Sequence, residues 1–393
     1  MEVSISGGLS ARWRRRNAVP VQNDLWSWLT RRAWPLWLAH GVDWQAGAFH
    51  ESLDLNSLRC PATFRRLRVV TRQIFSFSLA HQHGLPRAAE AVELGLAFLR
   101  RRAAHPDGGY AWRFALDGRV LDDRRDLYDH AFVLLALSAA AAVVPAAVLR
   151  QQALALDAFI EHRLTHAEGG YLESLPPALP RRQNPHMHLL EARLAAAEAF
   201  GEESFLAGAT RLVALFRRRF IQPPSGTLAE FYSDDLVPLA EPHPVEPGHH
   251  CEWIWLLDWH ARLAGRHAAP REAAALQAFV DAHGRDPETR ALRDQVSSDG
   301  TPLAGGARLW PQAERLKSAV LRRATAPWDA REATAVLSSY LRPDGLWHER
   351  RLPDGRLSDE PAPASSLYHL SSAITFAPQE GLPSIAPDGP RPG

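Results

Sequence analysis

The sequence predicts an all-α protein in which six pairs of helices close into a ring, an (α/α)6 barrel with short β-hairpins and loops at one mouth. Three observations predict this fold. Glycine turns recur about every 60 residues, and each interval holds two apolar stretches with helical periodicity. A histidine also stands 18 to 24 residues after three of the turns, at the start of an apolar run; these are His188, His249 and His369.

The glycine turns divide the chain into units of similar length. The first three intervals are 62, 61 and 56 residues, and the last is 119, close to two periods. We therefore expect a missing turn within residues 298–306, which gives six units. The turns are Gly47, Gly109, Gly170, Gly226 and Gly345.

Each unit contains two helical stretches. Leu25, Trp28 and Leu29 follow the candidate N-cap Asp24 at helical spacing. Residues 131–143 are too long and too rich in alanine and leucine for a strand. The alternative to a ring is an open α-solenoid, but solenoids need polar capping repeats and the two terminal units here look alike.

Composition fits one large domain. The chain has 393 residues and is 46% hydrophobic, enough for a sizeable core. We predict a single domain at 18–376, between a disordered basic tail at 1–17 and a Pro/Gly-rich tail at 377–393. No apolar segment resembles a signal peptide or a membrane span, which predicts a soluble, cytoplasmic protein that does not act on membranes.

Charge and cysteine content argue against several classes of function. The net charge is +1 and basic residues are scattered, so nucleic acid is not the expected partner. Cys60 and Cys251 form no CxxC pair, which fits a reducing compartment. Lys317 is the single lysine, and nothing near it in sequence suggests imine chemistry. We expect no cofactor.

One histidine motif opens an aromatic-rich helix. His249 and Glu252 are spaced i, i+3, which places imidazole and carboxylate on one helix face, where the acid can orient the ring. The alternative is a buried structural His–Glu hydrogen bond. His250 and Cys251 point elsewhere and are expected to pack. Consecutive ligands rarely reach one ion from a helix, so we expect no metal.

Two further histidines open helices elsewhere. Asn184 either caps the helix that leads to His188 or contacts substrate. His186 and His188 face about 200° apart on a helix, so only one can enter a central cavity. His369 would ordinarily be structural, but its register with the other two histidines favours the cavity mouth.

Several motifs, taken in order, resemble the N-acylglucosamine 2-epimerase superfamily over residues 24–375. Within it, Glu-Trp-x-Trp-Leu-Leu after Pro-Gly-His is similar to the D-mannose isomerase branch. The resemblance implies an (α/α)6 barrel that acts on free sugars without a metal or nucleotide. The motifs are residues 71–75 (TRQIF), 128–132 (YDHAF), 184–192 (NPHMHLLEA), 247–253 (PGHHCEW), 310–314 (WPQAE) and 368–369 (YH).

The resemblance also implies a role for each motif residue. His369 would take the C2 proton of mannose, His249 would act as acid/base at ring opening and O1, and Glu252 would orient that proton traffic. His188 would hold hydroxyl oxygens. The expected substrate-binding residues are Arg72, Asn184, Trp310 and Glu314. The superfamily's arginine before Pro-Gly-His has no counterpart in residues 239–246.

Structural alternatives remain for some of these residues. Arg72 could form a salt bridge inside the barrel, and Trp310 could be rim packing. Some of the tryptophans are expected to line an aromatic cup for a sugar. The candidates are Trp34, Trp37, Trp253, Trp255 and Trp310.

The chemistry that the resemblance implies is aldose–ketose isomerisation through a cis-enediolate. Imidazoles suit this reaction, because they titrate near neutral pH. The reaction would interconvert D-mannose and D-fructose, or D-lyxose and D-xylulose, in a monomer or homodimer. A 2-epimerase of cellobiose or N-acylglucosamine type and a non-catalytic sugar-binding barrel are the alternatives. Glycoside hydrolysis would need two carboxylates at the mouth and would leave the three histidines without a role.

Overall fold

Helices dominate the computed structural model, which describes residues 23–223, 225–266 and 270–377. The predicted tail at 1–17 and all but the first residue of the tail at 377–393 lie outside the described residues. The helices are α1 Asn23–Trp28, α2 Trp34–His40, α3 Leu67–Gln82, α4 Ala88–Phe98, α5 Leu127–Ala140, α6 Ala146–Phe159, α7 Gln183–Phe200, α8 Glu203–Leu215, α9 Pro247–Leu263, α10 Arg271–Phe279, α11 Leu309–Leu321, α12 Pro327–Ser338 and α13 Ala364–Phe376.

Six of these helices form a closed circuit. Helices α3, α5, α7, α9, α11 and α13 pack in this order, and α13 packs back against α3. Helices α4, α6, α8, α10 and α12 each pack outside the inner helix that precedes them, and α1 packs against α13. Such contacts are what a ring of helix pairs requires and an open solenoid lacks.

Burial separates the inner helices from the outer ones. In α5, consecutive residues such as Leu134 and Leu135 are all buried, because the helix has neighbours on every side. In α4, burial repeats at Ala88, Ala91 and Val92, one face of the helix. Several outer helices end in a π-helical turn: Leu99–Ala103, Ile160–Leu164, Phe216–Phe220 and Val280–Gly284; a further such segment, Leu29–Ala33, lies between α1 and α2.

Short antiparallel strands surround the ends at which the inner helices begin. A strand just before each inner helix pairs with a strand of the following unit: β4–β5, β7–β8, β9–β12, β13–β14, β15–β16 and, last with first, β17–β3. The strands are β1 Val42–Asp43, β2 Ala48–Phe49, β3 Ser52–Leu53, β4 Phe64–Arg66, β5 Arg113–Ala115, β6 Val120–Asp122, β7 Arg125–Asp126, β8 Ser174–Leu175, β9 Arg181–Arg182, β10 Ile221–Gln222, β11 Thr227–Leu228, β12 Phe231–Tyr232, β13 Pro244–Val245, β14 Val296–Ser297, β15 Ala307–Arg308, β16 Arg350–Arg351 and β17 Ala362–Pro363.

The missing turn lies earlier than the sequence predicted. In the fifth unit the bridge between Arg285 and Leu292 matches the bridge between Thr165 and Tyr171 that encloses Gly170. Within that turn Arg290 has a φ of 61°, a left-handed conformation that usually selects glycine. The expectation of residues 298–306 was therefore wrong, because an arginine occupies the position and hides the repeat.

Among the described residues, no helix combines the length and the apolar character that a membrane span needs.

Candidate active site

The sixth residues of the six inner helices lie together at the centre of the ring. The guanidinium carbon of Arg72 is 4.2 Å from the Phe132 ring centroid, and the rings of Phe132 and His188 are 4.6 Å apart. Because each helix turns every 3.6 residues, equal positions share a face when the helices are arranged alike. We call this set the axial layer: Arg72, Phe132, His188, Glu252, Glu314 and His369.

The other predicted site residues lie about one turn nearer the helix N-termini. Nδ2 of Asn184 lies 3.1 Å from Nε2 of His249. The Trp310 ring centroid is 5.0 Å from that of His249 and 5.7 Å from that of His369. One indole thus contacts both imidazoles, although the two histidines are 120 residues apart in sequence.

His249 is oriented by a carboxylate that the sequence analysis did not identify. Its Nδ1 donates to Oε2 of Glu230 at 2.9 Å, and Glu230 also accepts from Gln183 at 3.0 Å. The expected partner, Glu252, does not bond to His249. The predicted bond between His249 and Glu252 was wrong, because side chains spaced i, i+3 lie on one face of a helix but need not contact each other.

His369 has a comparable arrangement with a different acid. Its Nδ1 donates to Oε1 of Glu314 at 2.7 Å, while Oε2 of Glu314 accepts from the Trp255 indole at 2.9 Å. With the proton on Nδ1, the lone pair of neutral His369 is on Nε2. No hydrogen bond among the described residues uses that nitrogen.

His188 lies in a carboxylate pair. Its Nδ1 is 3.2 Å from Oε2 of Glu191 and 3.5 Å from Oε1 of Glu252. Both oxygens of Glu252 are buried without a hydrogen-bond partner in the described structure. Burial, together with Glu314 and Glu191, raises the pKa of Glu252 well above its usual value, which favours the protonated form of this acid.

Within the part of the chain that the structure describes, His188, Glu191 and Glu252 form the group that could hold a cation. One ligand atom from each of His188, Glu191 and Glu252 lies within 4.8 Å of the others. The expectation of a metal-free site therefore remains a prediction, and chelation is the experiment that tests it.

The pKa values of the two mouth histidines move in opposite directions. Burial disfavours a charged His249, but Glu230 and Glu246 outweigh it and raise the pKa of the ring. Burial lowers the pKa of His369 to about 4, although Glu314 opposes this. Titratable pairs driven apart in this way are suited to acid and base roles. At neutral pH, His369 is the unprotonated imidazole and His249 the ring that more readily carries a proton.

Arg72 is held by aromatic rings rather than by an acid. It donates to the Tyr128 hydroxyl at 2.5 Å, and the Tyr368 ring centroid is 5.2 Å from its guanidinium carbon. Within the described residues it forms no ion pair, so the salt-bridge alternative is wrong. Its buried Nε has no partner, which leaves donor capacity for a bound oxygen.

The tryptophans are mostly core residues. Trp34 and Trp37 are buried, and Trp37 stacks on Trp347. Trp253 is buried and donates to Gln183. Trp255 is also buried and donates to Glu314. Of the five tryptophans, Trp310 beside His249 and His369 therefore remains the candidate for a sugar contact.

The residues predicted to pack do so. His186 accepts the Tyr171 N–H at 3.0 Å, and its Nδ1 donates to the Arg182 carbonyl at 2.9 Å. His250 and Cys251 are fully buried. Asn184 is not a cap, because α7 begins at Gln183 with Arg182 before it and no side-chain cap.

The glycine repeat contains a signal that would have found Glu230. An acid stands three or four residues after a turn glycine in several units. It accepts a backbone hydrogen bond at the start of an inner helix, as Glu51 does from Arg66 and Glu173 does from Arg182. Other acids in this pattern are Glu230 and Glu349.

Two cations at the site were also missed. Arg308 donates to Glu246 at 2.8 Å, and its guanidinium carbon is 5.3 Å from the Trp310 ring centroid. The superfamily's arginine before Pro-Gly-His has no counterpart in residues 239–246, and Arg308 places an arginine beside Glu246 instead. Lys317 is fully buried, 2.7 Å from Glu314, a placement that its neighbours in sequence do not reveal.

Comparison with known proteins gives a consistent set of relatives. A family model described as N-acylglucosamine 2-epimerase (GlcNAc 2-epimerase) matches residues 47–373. A mannose-6-phosphate isomerase of Rhizobium meliloti (strain 1021) is 35% identical over 368 residues, covering 89% of this chain and 95% of that protein. A D-mannose isomerase of Thermobifida fusca is 30% identical over 407 residues, covering 91% and 98%.

The fold has solved counterparts. A crystal structure of a D-mannose isomerase superposes with a TM-score of 0.82 at 21% identity, covering 92% of this chain and 99% of that one. At this identity the likeness concerns the fold.

Proposed function

Because the chain belongs to the N-acylglucosamine 2-epimerase family, we propose that this sugar isomerase or epimerase interconverts D-mannose and D-fructose. D-Lyxose and D-xylulose are the corresponding pentose pair. The observation that carries the proposal is the placement of His249 and His369 against one indole with opposite pKa shifts.

The proposed scaffold is a single (α/α)6-barrel domain at residues 18–376. The closed circuit of inner helices, the outer helices paired with them and the likeness to a solved D-mannose isomerase support it. We keep the cytoplasm as the proposed location, on the ground that Cys60 and Cys251 are unpaired.

In the proposed first half-reaction, Nε2 of His369 removes the proton on C2 of the open-chain aldose. The C2–H electron pair becomes the C1=C2 double bond, and the carbonyl oxygen O1 takes a proton from His249. The product is a cis-enediol with O1 and O2 on the same side, so one acid/base group can serve both oxygens.

In the second half-reaction, His369 returns its proton to C1. The O2–H proton passes back to His249 as the C2=O bond forms, which restores both residues. His188 lies beside Glu252, the pKa of which is raised by burial. We propose that Glu252 holds a proton there and that both residues hydrogen-bond O2 while charge develops on it. Arg72 and Asn184 bind further hydroxyls, and Trp310 packs against the sugar face.

A solvent-exchange experiment tests this proposal. Purified protein with EDTA is incubated with D-mannose in deuterated water and followed by proton NMR. We expect D-fructose labelled at C1. Label only at C2 of a recovered epimer would instead make the protein a 2-epimerase. Labelling at neither carbon with mannose, lyxose, cellobiose or N-acetylmannosamine would leave only a binding function.

A phosphorylated sugar is a second candidate substrate, favoured by arginines near Arg72. The guanidinium carbon of Arg68 is 4.8 Å from the Tyr128 ring centroid, and that of Arg124 is 4.5 Å from the Trp112 ring centroid. One relative is a mannose-6-phosphate isomerase. Including mannose 6-phosphate in the same experiment decides between the free sugar and the phosphate ester. The ester would be the substrate if its kcat/KM exceeded that of mannose and if Arg124→Ser removed this preference.

A further inference from the structure

Lys317 is the single lysine in a chain that has 45 basic residues. It occupies the ninth position of α11, one turn below Glu314 of the axial layer, and its side chain is fully buried. A buried ammonium is costly unless it is paired. A buried lysine contributes nothing to surface charge or solubility, and arginine is the long cationic side chain at every other position. The burial of Lys317 therefore suggests a specific role for it.

The ammonium of Lys317 contacts three helices. Nζ is 2.7 Å from Oε2 of Glu314 on its own helix, and it donates to Oγ of Ser372 on α13 at 3.1 Å. It also lies 3.9 Å from the Trp255 ring centroid on α9, a distance typical of a cation–π contact. These contacts fix the charge directly beneath Glu314.

Glu314 links this lysine to the proposed base. Oε2 faces Lys317 and Trp255, and Oε1 accepts from Nδ1 of His369 at 2.7 Å. A carboxylate can only accept from Nδ1, whereas a protonated carboxyl could donate to it and reverse the tautomer. The charge state of Glu314 thus decides which nitrogen of His369 carries the lone pair.

We propose that Lys317 is a positioning residue of the reaction, because it keeps Glu314 ionised so that Glu314 holds His369 with Nε2 as the base. The proposal rests on the proposed function in one respect, that His369 is the proton-accepting group. Lys317 itself does not touch the sugar in this scheme.

The neighbouring carboxyls show what burial does to an acid that Lys317 does not contact directly. Burial raises the pKa of Glu191 and of Glu252. Burial acts on Glu314 as well, yet Lys317 and His369 bring its pKa down to about 2. The other titratable groups that interact with this carboxyl are His188 and Glu191 on α7, Cys251 and Glu252 on α9, and Tyr368 on α13. The cation Arg72 on α3 faces Glu252 and His369.

Three variants test the proposal: Lys317→Met, Glu314→Gln and the double variant. We expect each single change to lower kcat about 100-fold, the size of a general-base contribution, with little change in KM. The double variant should be no worse than the poorer single one, since the residues act as a unit. In Lys317→Met the acid limb of kcat should move to higher pH, because Glu314 loses the cation that keeps it ionised.

Arg315→Met is the matched control. Arg315 is a buried cation on the same helix that pairs with Asp329 on the outer side. We expect it to lower Tm and leave kcat and the pH profile unchanged. A Lys317→Met variant that behaves like Arg315→Met, or losses that multiply in the double variant, would overturn the proposal.

A readout without activity separates this proposal from the proposed function and covers the case in which Lys317→Met does not fold. Labelling with [ζ-15N]lysine gives one side-chain signal, since the chain has one lysine. We expect that signal to shift in Glu314→Gln and in His369→Asn. An unmoved signal in both would show that Lys317 is not coupled to His369, whatever sugar the protein converts.

Discussion

Two groups of buried histidines on the inner helices differ in what their nitrogens contact. The fourth residues of α5, α7 and α9, which are His130, His186 and His250, each accept a backbone N–H at Nε2. At the site, Nδ1 of His188, His249 and His369 contacts a carboxylate instead. We call the first group the strut histidines and the second the site histidines.

The difference teaches that burial and aromatic contact do not distinguish a structural imidazole from a reactive one. Both groups are buried. Burial lowers the pKa of His130 to about 4 and that of His186 and His250 to about 3, so the strut histidines stay neutral. Burial lowers the pKa of His369 to about 4 as well, whereas Glu230 and Glu246 raise the pKa of His249. The site histidines therefore diverge from each other, and the strut histidines do not.

The largest expected effect is loss of the base. His369→Asn should lower kcat at least about 1,000-fold, because Nε2 is lost while the residue still fits. Steady-state kinetics and circular dichroism measure turnover and fold. The matched strut variant is His186→Gln. Glutamine can replace a strut histidine, because Gln312 occupies the equivalent fourth position of α11 and accepts the Leu292 N–H at 2.8 Å.

We expect His186→Gln to keep kcat within about threefold of the unmodified protein and to lower Tm. Turnover retained in His369→Asn would show that another group is the base. Loss of turnover in His186→Gln, with the fold intact, would show that a strut histidine also takes part in the reaction.

The next largest effect is expected when the carboxylate that contacts His249 is neutralised. Glu230→Gln removes the charge that raises the pKa of His249. His249 donates a proton in the first half-reaction, so activity falls as pH rises through its pKa. The alkaline limb of kcat/KM should therefore move to lower pH, with kcat reduced about 10- to 100-fold.

Glu173→Gln is the control, because Glu173 stands at the same place in its unit and bonds to Arg182 without a histidine. We expect its pH profile to match that of the unmodified protein. An alkaline limb that stays in place in Glu230→Gln would mean that His249 is not the group titrating there.

The smallest expected effects are those of glycine-to-alanine substitutions on the free energy of unfolding. In Gly170→Ala, φ is +68° and the new Cβ would lie 2.7 Å from Nε2 of His186, which disturbs a strut. We expect a loss of about 2 kcal/mol in unfolding free energy. Gly47→Ala has a φ of +64° with nothing within 4 Å of the Cβ, so it should lose only about 1 kcal/mol. Urea unfolding compares them, and equal losses would mean that backbone strain alone matters.

The repeat and most of the site could be predicted from the sequence. Helical spacing predicted helices that begin near Asn184, His249 and His369. The family resemblance implied the eight site residues, which the structure places around the axial layer, and their roles stay predictions. The fifth turn was missed because Arg290 adopts a conformation that sequence patterns assign to glycine. The partner of His249 was misassigned, because Glu252 is near in sequence and Glu230 only in space.

The sequence by itself determined which residues face the ring axis, because helical periodicity fixes the face of each side chain relative to its own helix. Only the tertiary structure decided how those side chains pair: Glu230 with His249, Glu314 with both His369 and Lys317, and Glu252 with His188. Hydrogen bonds and pKa shifts depend on distances of a few ångströms between helices that are far apart in the chain, and such distances exist only once the ring has closed.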